Sequence, residues 1–123
     1  MFDVKYYEDK NGKSEIRDYI EDLERKAETS KDARILYRTY LRYVDRLKQK
    51  GTRSGAPTVK HIDGDIWELR PENNRILFFY WKNNNFIFLH HFIKKIKKIK
   101  KIPPREIIKA QNKLKDFIER NGE

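Results

Sequence analysis

Residues 65–104 read DIWELRPENNRILFFYWKNNNFIFLHHFIKKIKKIKKIPP and hold three apolar segments parted by polar turns. The first is Ile66-Trp67-Glu68-Leu69-Arg70, the second runs from Arg75 to Trp81, and the third from Phe86 to Ile93. Pro71-Glu72-Asn73-Asn74 and Lys82-Asn83-Asn84-Asn85 are turn sequences. In the first segment Trp67 and Leu69 face one way, Glu68 and Arg70 the other. Phe86-Ile87-Phe88-Leu89 is apolar on both faces, which places it inside a sheet. The three segments predict an antiparallel meander.

The flanks supply helices. Phe2-Asp3-Val4-Lys5-Tyr6 alternates and reads as a first strand. Asn11-Gly12 is a turn, and Ser14 caps a helix with Ile16, Tyr19, Ile20, Leu23 and Ala27 at helical spacing. After Thr29-Ser30-Lys31-Asp32 a second helix carries Leu36, Tyr37, Tyr40, Val44 and Leu47 on one side. It ends near Lys50-Gly51, where glycine suits the position after a helix. Arg34, Arg38, Arg42 and Arg46 share a face of it, read as solvated. Residues 51–64 read as a long Gly/Ser/Pro-rich loop delivering Lys60 and His61 to the sheet. Pro103-Pro104 opens a last helix with Ile107, Ala110, Leu114 and Phe117 inward. The fold class is α+β: strand, two helices, three-strand meander, helix, with a curved antiparallel sheet and helices on one face. Residues 1–123 form one domain.

Composition narrows function. The 29 basic and 19 acidic residues leave a net charge of +10, concentrated after the last strand, which favours a polyanionic partner. The chain has no cysteine, so thiolate catalysis and cysteine-held zinc are excluded. No apolar run is long enough to span a bilayer and no signal-peptide pattern opens the chain, so a cytoplasmic protein without a membrane partner is expected. Lys94-Lys95-Ile96-Lys97-Lys98-Ile99-Lys100-Lys101 repeats every three residues, a period that fits neither helix nor strand. It predicts an irregular, mobile segment.

Arg70, Arg75, Lys94 and Lys95 fall where a meander gathers them towards one end or face, and Lys60 with His61 leads into the same sheet. Such a cluster can bind a phosphodiester and stabilise the added charge of its transition state. A lysine crowded by cations can serve as a general base. The plainer reading is a static phosphate patch, or charge paired with Glu68 and Asp65. His90 and His91 are neighbours on a strand and point to opposite faces, so at most one reaches the cluster, and His91 is the one taken as catalytic. No metal-ligand spacing, Gly-rich phosphate loop or Gly-x-Ser-x-Gly elbow is present.

These residues, in order, resemble a known family. Trp67-Glu68-Leu69-Arg70-Pro71, Arg75-Ile76-Leu77-Phe78, Leu89-His90-His91-Phe92-Ile93-Lys94-Lys95 and Pro104-Arg105-Glu106-Ile107 with Ala110 are similar to the phage-derived HigB-like toxins of the RelE/ParE toxin–antitoxin superfamily. Gly51-Thr52-Arg53 and Lys60-His61 extend the likeness over nearly the whole chain. The resemblance implies a RelE-like fold and a ribosome-dependent mRNA endonuclease, or mRNA interferase, working without metal or cofactor. In such enzymes the 2′-hydroxyl attacks the adjacent phosphate. It also implies a HigA-like helix-turn-helix antitoxin as partner, beside the ribosome and mRNA.

By the same resemblance the two site arginines are Arg70 and Arg75, the basic pair is Lys94 and Lys95, and Lys60 is the basic residue before the sheet, with His61 beside it. A lysine among these or His91 would move protons. Lys97, Lys98, Lys100 and Lys101 would add RNA contacts. The C-terminal segment lacks the stacking tyrosine of many RelE-type toxins, which leaves Tyr80, Trp81 or Phe92 for that role. Two rival readings stand beside this one: a non-catalytic nucleic-acid-binding module, and a ParE-like gyrase poison.

Overall fold

The computed structural model describes residues 1–94 and 101–122. The chain runs β1 (Asp3–Tyr6), α1 (Glu15–Lys26), α2 (Lys31–Lys50), a short 3-10 turn (Gly51–Ser54), β2 (Val59–Asp63), β3 (Ile66–Leu69), β4 (Asn74–Trp81), β5 (Asn85–Ile93) and α3 (Pro104–Asn121). The strands form one curved sheet in the order β1-β5-β4-β3-β2. The α+β class and the meander are as the sequence reads, with β5 inside the sheet.

The helices start where capping chemistry starts them. The Ser14 hydroxyl accepts from the Arg17 N–H at 3.1 Å, and Ser30 accepts from Ala33 at 3.2 Å. Each satisfies one donor of a first turn that has no partner within the helix. Pro104 opens α3, where its missing N–H costs nothing. Asn83 and Asn84 hold φ of 62° and 61° in the β4–β5 turn, a left-handed backbone that asparagine tolerates. The outward arginines Arg38, Arg42 and Arg46 of α2 are exposed.

Three features depart from the expectation. Residues 51–64 are not a bare loop, because Val59–Asp63 forms the edge strand β2 against β3. Its only fully buried side chain is Val59, so it carried little apolar signal. Next, β1 pairs with β5 in parallel, which makes the sheet mixed. Last, the helices do not share one face. Ile16, Ile20, Tyr40, Val44 and Leu47 from α1 and α2 pack with Leu69, Ile76, Phe78, Phe86 and Phe88. Ala110, Leu114 and Phe117 of α3 pack with Leu77, Phe79, Ile87 and Leu89 on the other side. Both faces of β4 and β5 are therefore covered, which is why these strands read as continuous apolar runs.

The β4–β5 ladder carries a bulge. Leu77 lies opposite His90 while Phe78 lies opposite Phe88, leaving Leu89 as the extra residue. A bulge of this kind shifts the alternation of one strand by one position. Leu89 packs on the α3 side, and His90 beyond it reaches the same side, where it meets Glu106 of α3. His91 is returned to the α1 side.

Candidate active site

A pocket of ≈ 370 Å³ opens at the end of the sheet where β3 and β5 finish and β2 and β4 begin. Its cations come from separate strands and turns: Lys60 of β2, Arg70 after β3, Arg75 of β4, Lys94 after β5, and Lys101 before α3. Ile62, Phe92, Ile102 and Ile107 supply apolar wall. The strand order makes this convergence possible, because β2, β3, β4 and β5 are successive neighbours.

Arg75 is the most fixed of the cations. It is 9% exposed, and its Nη1 donates to the Glu72 and Asn74 carbonyls at 2.9 and 2.8 Å. Arg70 is held at its backbone, which donates to the Thr58 carbonyl at 3.0 Å. Glu68 lies between the two, 3% exposed. Its Oε1 is 3.2 Å from the Arg70 Nε and its Oε2 is 3.9 Å from the Arg75 Nε. The first contact is too poorly aligned for a hydrogen bond, and the buried Arg70 Nε has no other acceptor among the described residues. Burial pushes the Glu68 carboxyl above the usual carboxylate range, although Arg75, Arg70, Lys60 and Lys94 pull it down. Burial likewise lowers Arg75, opposed by Glu68. A guanidinium stays charged regardless.

The pocket therefore gathers Lys60, His61, Arg70, Arg75, Lys94 and Lys101 of the residues expected from sequence. His61 borders it with its ring engaged elsewhere: Nε2 is 2.8 Å from the Gly64 carbonyl and the ring stands edge-on to Trp67. Lys95, Lys97, Lys98 and Lys100 lie outside the described residues. Of the stacking candidates, Phe92 is in the wall, whereas Trp81 packs on Phe117 and Tyr80 sits among Phe2 and Phe86.

His91 is not in the pocket. It stacks on Tyr19 of α1, ring centroids 3.8 Å apart, on the opposite face of the sheet. The bulge at Leu89 is the reason, since it puts His90 rather than His91 on the α3 face of the sheet, where the pocket lies. His90 is buried with its Nε2 2.7 Å from Glu106 Oε1, and Glu106 lines the pocket. Burial lowers His90, with Glu106 opposing. Sequence reasoning passed over His90 and Glu106 as a pair, because nothing in either segment says that α3 packs against β5. Glu68 was visible there only as a possible counter-charge.

Burial holds the His91 imidazole down at about 4. Its ordinary value is about 6.5, so the unfolded chain binds a proton that the folded one refuses. The resulting stability is complete above about pH 6.5 and is lost as pH falls towards 4. At pH 5 the loss relative to pH 8 is about 2 kcal/mol. His91→Phe keeps a ring against Tyr19 and removes the proton site, so urea unfolding at the two pH values is expected to show this acid loss shrinking by about that amount. An unchanged pH dependence would place the acid sensitivity elsewhere.

Among the described residues, three helices on a five-stranded curved sheet, with a cationic pocket at one sheet end, have the layout of a RelE-like fold. Residues 18–115 match the family described as phage derived protein Gp49-like (DUF891), and the chain belongs to that family of RelE-like toxins. The match spans every residue of the pocket. No curated protein matches the sequence. No helix among the described residues is long and apolar enough to cross a membrane.

Proposed function

We propose that the protein is the toxin of a HigB-like toxin–antitoxin pair and cuts mRNA on the ribosome. The observation that carries this reading is the convergence of Arg70, Arg75, Lys60 and Lys94 on one pocket with an apolar wall containing Phe92. Two guanidinium groups suit the non-bridging oxygens of a phosphodiester, which gain charge as the 2′-hydroxyl oxygen adds to phosphorus. The 2′-hydroxyl gives up its proton, the P–O5′ bond breaks, and the departing 5′-oxygen takes a proton. The products are a 2′,3′-cyclic phosphate and a 5′-hydroxyl. Lys60 and Lys94 border the place where these transfers occur. His91 has no part in them, because it lies across the sheet.

Partners follow from the same reading. The ribosome presents the mRNA, and a HigA-like helix-turn-helix antitoxin neutralises the toxin. A net charge of +10 supports an approach to ribosomal RNA that weakens with salt.

Primer extension on an mRNA under translation in a purified system, beside the same mRNA without ribosomes, tests the reading. Cuts confined to the translated sample are expected. Cuts in free RNA keep the nuclease and remove the ribosome. No cuts in either sample, with DNA breaks in cells, would move the target to gyrase.

A further inference from the structure

Glu68 is an acid placed where the proposed substrate needs cations. Its two oxygens each lie near a different site arginine, yet neither contact is a hydrogen bond: one is misaligned at 3.2 Å and the other stands at 3.9 Å. A phosphodiester can offer both arginines aligned, charge-assisted hydrogen bonds, which are the stronger kind. It would then compete with the Glu68 carboxylate for the same guanidinium groups, two anions in one confined site. Like charges brought together in this way favour protonation of one of them.

We propose that Glu68 is a proton-coupled counter-ion, which holds Arg70 and Arg75 while the pocket is free and takes up one proton as an RNA phosphodiester displaces it. This deepens the RNA reading and rests on it. The proton comes from solvent, the carboxylate becomes a carboxylic acid, and no bond to the substrate forms or breaks. The new O–H can donate to a phosphate oxygen. Burial already biases Glu68 towards the neutral acid.

The charged and titratable groups that line the pocket with Glu68 are Lys60 and His61 of β2, Arg70 after β3, Arg75 of β4, Lys94 after β5, Lys101 before α3 and Glu106 of α3. An imidazole is the side chain whose charge ordinarily changes between pH 5 and 8, so the contribution of His61 is separated from that of Glu68 by substitution.

The probe is a 2′-O-methyl RNA hexamer, which cannot be cut by 2′-hydroxyl attack and whose diesters carry constant charge over this range. Titration calorimetry in two buffers of different ionisation heat counts protons, and affinity is followed from pH 5 to 8. The whole protein is expected to take up close to one proton per hexamer over part of this range. Its affinity should fall by up to tenfold per pH unit at the steepest. Glu68→Gln is expected to bind more tightly at pH 8 and to lose this pH dependence, whereas His61→Ala retains it. A carboxylate serving only to position the arginines gives the opposite result, weaker binding by Glu68→Gln at every pH.

Binding without proton uptake overturns the proposal and leaves the RNA reading standing. So does a pH dependence that persists in Glu68→Gln and vanishes in His61→Ala. Absence of binding at every pH overturns the proposal, and the RNA reading is then decided by the cleavage assay on ribosomes. Should Glu68→Gln fail to fold, the proton count of the native protein and the His61→Ala profile still decide.

Discussion

Arg70→Ala is expected to slow ribosome-dependent cleavage by about 10²-fold or more while leaving the fold intact. Loss of one preorganised donor to a developing oxyanion typically costs that much. The fold is spared because the Arg70 side chain is 29% exposed, and its contribution to the sheet is a backbone bond to Thr58 that alanine keeps. Arg75→Ala makes the contrast. It removes the second guanidinium of the pocket, but this side chain is buried and pinned to two carbonyls. Its loss leaves Glu68 with one cation fewer in a buried setting, so stability should fall as well, by about 3 kcal/mol. Single-turnover cleavage rates and melting curves on both variants check the split. If Arg70→Ala cuts at the native rate, the pocket is not the active site. A purely binding role for the basic segment makes that very prediction, and charge reversal at Lys97, Lys98, Lys100 and Lys101 would then abolish activity instead.

Phe78→Ala is expected to cost about 3–5 kcal/mol of folding stability, enough to unfold much of a domain of this size. Phe78 has no exposed surface and sits in the centre of β4. Its ring meets Phe86 edge-on at 5.4 Å and lies 5.8 Å from Phe88, both on β5. These belong to the core that also holds Tyr40, Val44 and Leu47 of α2. Removing the ring leaves a cavity that rigid strand neighbours on β4 and β5 cannot close, so a cavity cost adds to the lost transfer energy. Ile108→Ala is the control. At 52% exposed it should change stability by no more than about 0.5 kcal/mol. Urea unfolding of the two proteins gives the comparison, and a loss below about 1 kcal/mol for Phe78→Ala would contradict the packing described.

The meander and the three helices were legible because their signals are local. Asparagine turns, serine caps and helical spacing each act within a few residues. The arginine pair was legible for the same reason: Arg70 and Arg75 flank one short turn, so any hairpin there brings them close. What stayed hidden depends on contacts distant in sequence. β2 is an edge strand with polar residues on most positions, so period-two alternation of apolar residues never formed. The side on which α3 docks is settled by the packing of Phe117 and Leu114 against β4 and β5, and by Glu106 meeting His90. The choice between His90 and His91 turned on one unpaired residue, Leu89, whose presence leaves no trace in composition. The correct statement from sequence was that the two histidines oppose each other; which of them lies on the face that carries the pocket required the ladder.

The parallel pairing of β1 with β5 has a consequence for the time at which this protein comes into being. Asp3 waits for Asn85, and Tyr6 for Phe88, so the first strand made has no partner until most of the chain has been synthesised. The pocket is later still, since its wall includes Ile102, Glu106 and Ile107. Long loops must close before these contacts stabilise anything, which delays assembly relative to the local helices α1 and α2. A nascent chain therefore carries its arginines on an unfinished scaffold until the start of α3 has been made.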